Sequence, residues 1–204
     1  DGQLNVRMAF LFTGLWVMLF TIPVLVGTPK VPSLDVGKPL GLFASYGKLF
    51  RDIGNLWRNE RTTFSFLIAS AIFRDGLAAV FTLGAVIAAA VFGFETKDIM
   101  FFGIAANLVA GIGVFLGGVI EDKIGPKRLI IASLIGLMVG GIYVFTFRDM
   151  GPITFWIGGL ILSFFAGPTQ SASRTFLGRL TTPGREGELY GLYATTGRGL
   201  SWMT

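Results

Sequence analysis

Residues 99–128 read IMFFGIAANLVAGIGVFLGGVIEDKIGPKR, an apolar run that ends abruptly in a short charged turn. The apolar part, residues 99–120, has the roughly 20 residues that an α-helix needs to cross a hydrocarbon core about 30 Å thick. The turn carries the basic residues Lys123, Lys127 and Arg128. An apolar segment of this length beside a basic turn predicts a membrane-spanning helix that ends at the cytoplasmic face.

The same pattern repeats on both sides of this stretch. Further apolar spans cover residues 8–27, 63–94, 129–147 and 152–173, and a sixth begins near Leu189 and is cut off at Thr204. Basic residues alternate between the connections. Twelve lie in the first, third and fifth connections (Lys30, Lys38, Lys48, Arg51, Arg58, Arg61, Lys123, Lys127, Arg128, Arg174, Arg179 and Arg185), whereas the N-terminal end and the intervening connections hold only Arg7, Lys97 and Arg148. The basic connections are therefore predicted to be cytoplasmic, and the N-terminus of the chain to be outside.

Composition favours the same class of protein. Apolar residues make up 52% of the chain and charged residues only 14%, which leaves a soluble protein too little polar surface. A soluble all-helical protein with buried central helices is the alternative, but such helices rarely run this long repeatedly. The net charge of +5 comes mainly from the cytoplasmic connections, so we expect contact with membrane lipid and no nucleic-acid partner.

The chain contains neither cysteine nor histidine. Thiolate and imidazole metal ligands are therefore excluded within it, as are catalytic triads that depend on histidine. We expect no enzyme activity, no metal and no cofactor.

The long first connection has two parts. Pro29, Pro32 and Pro39 interrupt the first part, and apolar residues then recur at spacings of three and four from Phe43 to Trp57. This periodicity predicts an amphipathic helix. The helix lies in the membrane interface with its basic residues toward anionic head groups, or it packs against a cytoplasmic partner helix.

Glycines are spaced for close helix packing in several spans. Gly111, Gly113, Gly117 and Gly118 lie in one helix, and Gly136, Gly140 and Gly141 lie in the next. Small residues four apart let backbones approach closely in lipid. Gly167 and Pro168 predict a kink in the fifth span, because proline breaks the helical hydrogen-bond ladder.

The charged turn between the third and fourth spans has a specific pattern, formed by Gly118, Asp122, Lys123, Gly125, Lys127 and Arg128. It resembles the Gly-x-x-x-Asp-Arg/Lys-x-Gly-x-Arg/Lys-Arg/Lys signature of major facilitator superfamily transporters, from which it departs only in the stiffening Pro126. We assign the six residues to gating and structure, as the resemblance implies. Gly118 is expected to permit a close helix contact, and Asp122 to accept hydrogen bonds from a helix N-terminus.

A second stretch, residues 167–198, is similar to the tenth-to-eleventh helix region of the vacuole-effluxer-like branch, which includes fungal vacuolar amino-acid exporters. Asp75 and Gly76 fit the seventh helix of that branch, although the preceding Arg74 is not expected there. The resemblance implies an all-α, polytopic bundle that is the second half of a twelve-helix transporter. By this register residues 1–27 are helix six, residues 28–62 the cytoplasmic central loop, and residues 63–204 the C-terminal bundle, truncated in helix eleven. We expect the chain to be a piece of a longer polypeptide whose N-terminal half is its partner.

Polar residues in the spans mark a predicted substrate and ion pathway. An ionised side chain at mid-membrane costs roughly 2.5 to 3.5 kcal/mol, so its presence favours function over a structural ion pair. Being about 100° apart on a helix, Arg74 and Asp75 are not expected to satisfy each other. Arg198 suits a substrate carboxylate or phosphate, or else a salt bridge to the missing half. The predicted pathway residues are Arg74, Asp75, Asn107, Gln170, Ser173 and Arg198, although Asn and Ser also serve as interhelical contacts.

Five charged residues near the fifth connection are predicted to form a cytoplasmic gate network: Arg174, Arg179, Arg185, Glu186 and Glu188. Arg174 alternatively extends its charge to the membrane interface.

Together these features predict a secondary transporter of small solutes that works by alternating access, with an amino acid or small anion as substrate and Asp75 as the proton-coupling group. The alternative is a non-transporting membrane scaffold or assembly subunit of the same fold; a lipid-modifying enzyme lacks any nucleophile–base pair. The expected location is a bacterial inner or plasma membrane, or a vacuolar-type membrane if the source is eukaryotic.

Overall fold

A computed structural model describes residues 4–27, 42–182 and 184–199. Within these ranges all regular secondary structure is helical, as the sequence predicts. The helices are α1 (Leu4–Gly27), α2 (Leu42–Asn59), α3 (Arg61–Phe92), α4 (Thr96–Ile124), α5 (Pro126–Thr146), a 3₁₀ turn (Arg148–Met150), α6 (Pro152–Leu180) and α7 (Glu186–Gly199).

Five of these helices are long and apolar enough to cross a membrane, namely α1, α3, α4, α5 and α6. They coincide with the five complete spans predicted from hydropathy, which confirms a polytopic all-α architecture. The sixth predicted span corresponds to α7, which begins at Glu186 and is described as far as Gly199. The rest of that span, residues 200–204, and the proline-containing part of the central loop, residues 28–41, lie outside the described residues.

The chain divides into two compact units, residues 1–48 and residues 49–204, with the boundary inside α2. In the first unit, aromatic rings at four-residue spacing stack along α1. The ring centroids of Phe12 and Trp16 are 5.8 Å apart, and those of Trp16 and Phe20 are 4.7 Å apart. Thr13 and Thr21 each donate a hydroxyl to the carbonyl four residues earlier, which leaves no unsatisfied hydroxyl on this span.

Local sequence signals set the helix ends of the second unit. Gly93, Gly125 and Gly151 adopt positive φ angles of 67°, 82° and 87°, which glycine reaches without strain. Pro126 and Pro152 follow two of these glycines and begin α5 and α6, where a missing N–H costs nothing. These glycines and prolines keep the connections short, and among successive spans α5 and α6 pack extensively against each other.

Helix α6 lies at the centre of the second unit, where it packs against α4, α5 and, less extensively, α3. The closest approach to α4 is at Gly113 and Gly117. A Cβ atom on Gly113 would collide with the backbone carbonyl of Phe164, and one on Gly117 would lie 2.9 Å from Cβ of Pro168. Small residues four apart therefore allow this contact, as predicted for membrane helices.

Three glycine expectations are corrected by this packing. A Cβ atom on Gly111, Gly118 or Gly141 would meet nothing within 4 Å among the described residues. The close helix contact expected at Gly118 is therefore made by its neighbour Gly117, because Gly118 is turned about 100° away on the exposed side of α4.

Pro168 lies inside α6, which continues on both sides of it. Because proline has no N–H, the carbonyl of Phe164 four residues earlier lacks its helical donor. That same carbonyl faces Gly113. The kink predicted at Gly167 and Pro168 stays a prediction, but the missing hydrogen bond coincides with the tightest interhelical contact.

Two separate clusters of buried apolar side chains lie at opposite ends of the second unit. At one end Phe92 and Phe94 from the α3–α4 region pack with Ala88 and Phe155. At the other end Leu56 packs with Leu67, Leu177, Leu189, Leu192 and Tyr193. The second end contains the α2–α3 and α6–α7 connections, which the basic residues predict to be cytoplasmic.

Candidate functional site

The mid-helix charges of α3 lie where the sequence places them, close to the middle of Arg61–Phe92. Arg74 donates from Nη1 to the backbone carbonyl of Tyr193 on α7 at 2.8 Å. Its guanidinium carbon also lies 4.1 Å from the centroid of the Tyr193 ring, within cation–π range. Arg74 therefore joins α3 to α7 through one residue, a connection between positions 119 apart in sequence.

Asp75 has a different environment. Its Oδ1 atom is buried and has no hydrogen-bond partner among the described residues. No ion pair joins it to Arg74 there, which agrees with the expectation that the two neighbours do not satisfy each other. A buried polar atom without a hydrogen-bond partner is costly, so Oδ1 of Asp75 is available to a ligand or to a group that the described residues do not supply.

The other predicted pathway residues do not converge on this pair within the described residues. Asn107 is exposed on α4, where its side-chain amide donates to the carbonyl of Gly103 at 2.8 Å and lines a shallow open groove. Gln170 is exposed on α6. Ser173 is fully buried and donates to Thr169 O at 2.6 Å, so it belongs to the helix packing and not to an open wall. Arg198 is in α7, but its side chain lies outside the described residues.

The signature turn between α4 and α5 is exposed at most of its charged positions. Asp122, Lys123, Lys127 and Arg128 are exposed, and no hydrogen bond to their side chains is formed by the described residues. The helix-terminus contact expected for Asp122 is therefore absent from this part of the chain. Glu121, which sequence reasoning did not select, is buried at 8% exposure beside the turn.

An ion-pair network lies at the end of the unit that holds the α6–α7 connection. Arg185 Nη2 is 2.7 Å from Glu188 Oε1, and Arg185 Nη1 is 2.7 Å from Glu60 Oε1. The side chains are only 22% to 33% exposed. Glu60 was missed by sequence reasoning, because its separation of 125 residues from Arg185 leaves no local signal.

The pKa of Arg185 is raised above its ordinary value, chiefly by the hydrogen bond to Glu188 and then by the charges of Glu188 and Glu60, against the opposing effect of burial. A raised folded-state pKa contributes stability that is present below the ordinary value and is lost only at higher pH. The guanidinium is therefore a permanent cation at any physiological pH. Its two interactions tie the α2–α3 junction to the start of α7.

The remaining members of the predicted gate network do not join this pair. Arg174 and Arg179 are exposed and have no carboxylate partner among the described residues. Glu186 accepts a hydrogen bond from the backbone N–H of Gly184 at 2.9 Å. Tyr190 donates its hydroxyl to the carbonyl of Arg174 at 3.1 Å, which links α7 to α6. The structure thus assembles Arg185 and Glu188 with Glu60 and leaves the other predicted members apart.

Comparison with known proteins adds a family to this geometry. The model of the family described as vacuole effluxer Atg22 like matches residues 1–204. The chain is 27% identical to autophagy-related protein 22 of Coccidioides immitis and 25% identical to autophagy-related protein 22-1 of Aspergillus niger, in both cases over 97% of its length. It is 21% identical, again over 97% of its length, to the uncharacterized MFS-type transporter YxiO of Bacillus subtilis.

The chain covers 36%, 35% and 45% of the lengths of these three relatives, so it corresponds to less than half of each. No solved structure matches the chain.

Proposed function

Because the chain belongs to the vacuole effluxer Atg22-like family, we propose that it forms part of a secondary transporter that moves small solutes across a membrane by alternating access. The MFS-type name of the Bacillus subtilis relative supports this proposal. The activity requires the rest of the transporter, since substrate sites of this architecture lie between repeats. The membrane is a bacterial inner or plasma membrane, or a vacuolar-type membrane.

The observation that carries the proposal is the buried Oδ1 atom of Asp75, which has no hydrogen-bond partner among the described residues and lies in the middle of a membrane span. Intramembrane ionisable residues without a structural partner mark ion pathways and proton relays. We assign to Asp75 the uptake and release of the coupling proton. Arg74 has a smaller part in substrate binding than its position suggests, because Tyr193 already occupies one of its donors and one face of its guanidinium.

The proposed substrate is an amino acid or another small anion, and Arg198 on α7 is its proposed carboxylate-binding group. Five donors in a planar fork make arginine well suited to a carboxylate. The experiment is binding of a labelled amino-acid panel to the full-length protein in nanodiscs, with Arg198→Gln as the matched variant. Saturable binding that Arg198→Gln weakens at least about tenfold, the equivalent of 1.4 kcal/mol, supports the assignment. Equal affinity of both proteins for every carboxylate ligand would exclude it.

Proton coupling is tested separately in proteoliposomes. Asp75→Asn keeps the size of the side chain and removes its ability to ionise. The expected result is that solute exchange without a pH gradient continues, while accumulation driven by a pH gradient is lost. If Asp75→Asn proteoliposomes still accumulate solute in response to the gradient, Asp75 is not the coupling group.

A non-transporting membrane scaffold of the same fold is the second candidate. It is favoured by the internal satisfaction of Arg74 by Tyr193, which is what a scaffold with paired midplane charges requires. The unpartnered Asp75 oxygen favours the transporter instead. Absence of binding for all solutes, combined with unaltered folding of Asp75→Asn, would shift the conclusion to the scaffold.

A further inference from the structure

The part of α2 in the second unit, residues 49–59, has an apolar side that is only partly covered by the bundle. Leu56 is 1% exposed and packs into the cluster with Leu67, Leu177 and Leu189. Ile53 is half-buried at the edge of that cluster. Trp57, by contrast, is 61% exposed. Because Leu56 is buried in the bundle, the rotation of this helix segment about its own axis is fixed.

Helical geometry places two arginines, Arg51 and Arg58, on the side of α2 next to the exposed Trp57. Successive residues are about 100° apart, so Leu56, Trp57 and Arg58 point in successive directions around the helix. Arg51, seven residues before Arg58, lies on the same side. Both arginines are exposed, and neither has an ion-pair partner in the described ranges.

The ion-pair network explains why these cations stay unneutralised. Glu60 is the carboxylate nearest in sequence to Arg58, but its Oε1 atom is held by Arg185 at 2.7 Å. The side chain of Glu60 is directed into the bundle side of the junction by this contact. Asp52, the residue after Arg51, forms no ion pair with either arginine among the described residues, so both guanidiniums remain available to an anionic ligand.

A ring contact sets the depth of the tryptophan relative to the predicted membrane. The centroids of Trp57 and Phe64 are 4.9 Å apart in an edge-to-face arrangement. Phe64 belongs to the first turn of α3, a candidate membrane span. Trp57 thus lies level with the cytoplasmic beginning of the apolar span, the depth at which tryptophan is enriched in membrane proteins.

We propose that Trp57, Arg51 and Arg58 form a binding surface for anionic phospholipid head groups in the cytoplasmic leaflet. The indole ring enters the interface while the two guanidiniums bind phosphate oxygens beside it. Charge complementarity selects this occupant over a further apolar helix, which would leave both arginines desolvated and unpaired. The proposal depends on membrane insertion of the chain and not on transport activity.

The first experiment measures lipid selection by the full-length protein in nanodiscs that mix phosphatidylcholine with phosphatidylglycerol. The readout is the ratio of phosphatidylglycerol to phosphatidylcholine that remains bound in native mass spectrometry. Arg51→Gln/Arg58→Gln is compared with Lys97→Gln/Arg148→Gln, which removes the same charge from the opposite end of the spans. A basic residue near an anionic surface contributes about a five-fold preference, so the first variant should lose roughly that factor for each arginine.

The control variant should keep the lipid ratio of the wild type. Equal loss in both double variants, or no loss in Arg51→Gln/Arg58→Gln, would overturn the proposal. Thermal unfolding of each variant in neutral lipid establishes that it is folded before the lipid ratios are compared.

A second measurement reports the position of the tryptophan and does not depend on charge. Phosphatidylglycerol with brominated acyl chains quenches indole fluorescence on contact, and the contribution of Trp57 is the difference between wild type and Trp57→Phe. A quenched component that Trp57→Phe removes is expected. An unchanged quenched fraction would show that a protein segment covers this face, and the lipid assignment would then be wrong.

Discussion

Replacement of Gly113 by alanine tests the tightest contact of the bundle. The added Cβ atom would overlap the carbonyl oxygen of Phe164 and would lie 3.0 Å from the carbonyl carbon, whereas ordinary contact begins at 3.4 Å. The obstructing atoms are backbone, so no side-chain rotation can relieve the overlap. Helices α4 and α6 must separate locally, and the contacts on both sides of the site must loosen with them.

Overpacking of a close-packed interior costs about 1 to 3 kcal/mol, and a collision with backbone belongs at the upper end of that range. Alanine in place of glycine recovers about 0.5 to 1 kcal/mol of backbone entropy in a helix. We therefore expect Gly113→Ala to destabilise the protein by about 2 kcal/mol.

The matched control is Gly111→Ala in the same helix, where the new Cβ atom meets nothing within 4 Å in the described part of the chain. It should be neutral or stabilise slightly, because only the entropic term applies. Unfolding of the full-length protein is followed in mixed micelles with increasing sodium dodecyl sulfate. Equal midpoints for Gly113→Ala and Gly111→Ala would refute the backbone-contact argument.

Four further substitutions test the contacts between helices. Arg74→Gln should lower the free energy of unfolding by about 1 to 3 kcal/mol, because it loses a charged hydrogen bond and a cation–π contact. Tyr193→Phe should be nearly neutral, because the aromatic ring and the backbone carbonyl remain. Equal losses for the two variants in denaturant titrations would contradict the assignment. Arg185→Gln should lower the free energy of unfolding by about 1 kcal/mol or less, because Arg185 and Glu60 are each about one-third exposed. This loss of stability should be smaller in high salt. A loss that does not depend on salt would argue against an ion-pair origin. Gly117→Ala should be destabilising, because its new Cβ atom would lie 2.9 Å from the ring of Pro168. The effect should be smaller than that of Gly113→Ala, whose new Cβ atom would overlap a backbone carbonyl. The ranking of the two unfolding midpoints checks this.

Local sequence features were sufficient for the architecture. Hydropathy over windows of span length located α1, α3, α4, α5 and α6, because a helix in lipid must satisfy its backbone internally and present apolar side chains outward. The predicted start of the fifth span at residue 152 is confirmed by α6, whereas α5 begins at Pro126, three residues before the predicted span.

The site was less accessible to this reasoning. The mid-span position of Arg74 and Asp75 was readable from residue spacing. The charges of the fifth connection were predicted only as a network of five residues, of which the structure pairs Arg185 with Glu188. The sequence did not reveal that Tyr193 would bind Arg74 or that Ser173 would be fully enclosed. These outcomes depend on which face of each helix meets a neighbour, and hydropathy that is apolar all round a span does not encode that face.

The sequence by itself therefore determined a membrane-embedded helical chain, the alternation of its loops and the positions of its rare charges, because each depends on residues close together in the chain. Only the tertiary structure decided the partners: Glu60 for Arg185 across 125 residues, Tyr193 for Arg74 across 119, and the carbonyl of Phe164 for Gly113. Such pairs arise from the rotation and depth of packed helices. Those quantities are fixed by the joint packing of α3, α4, α6 and α7, and no single segment contains them.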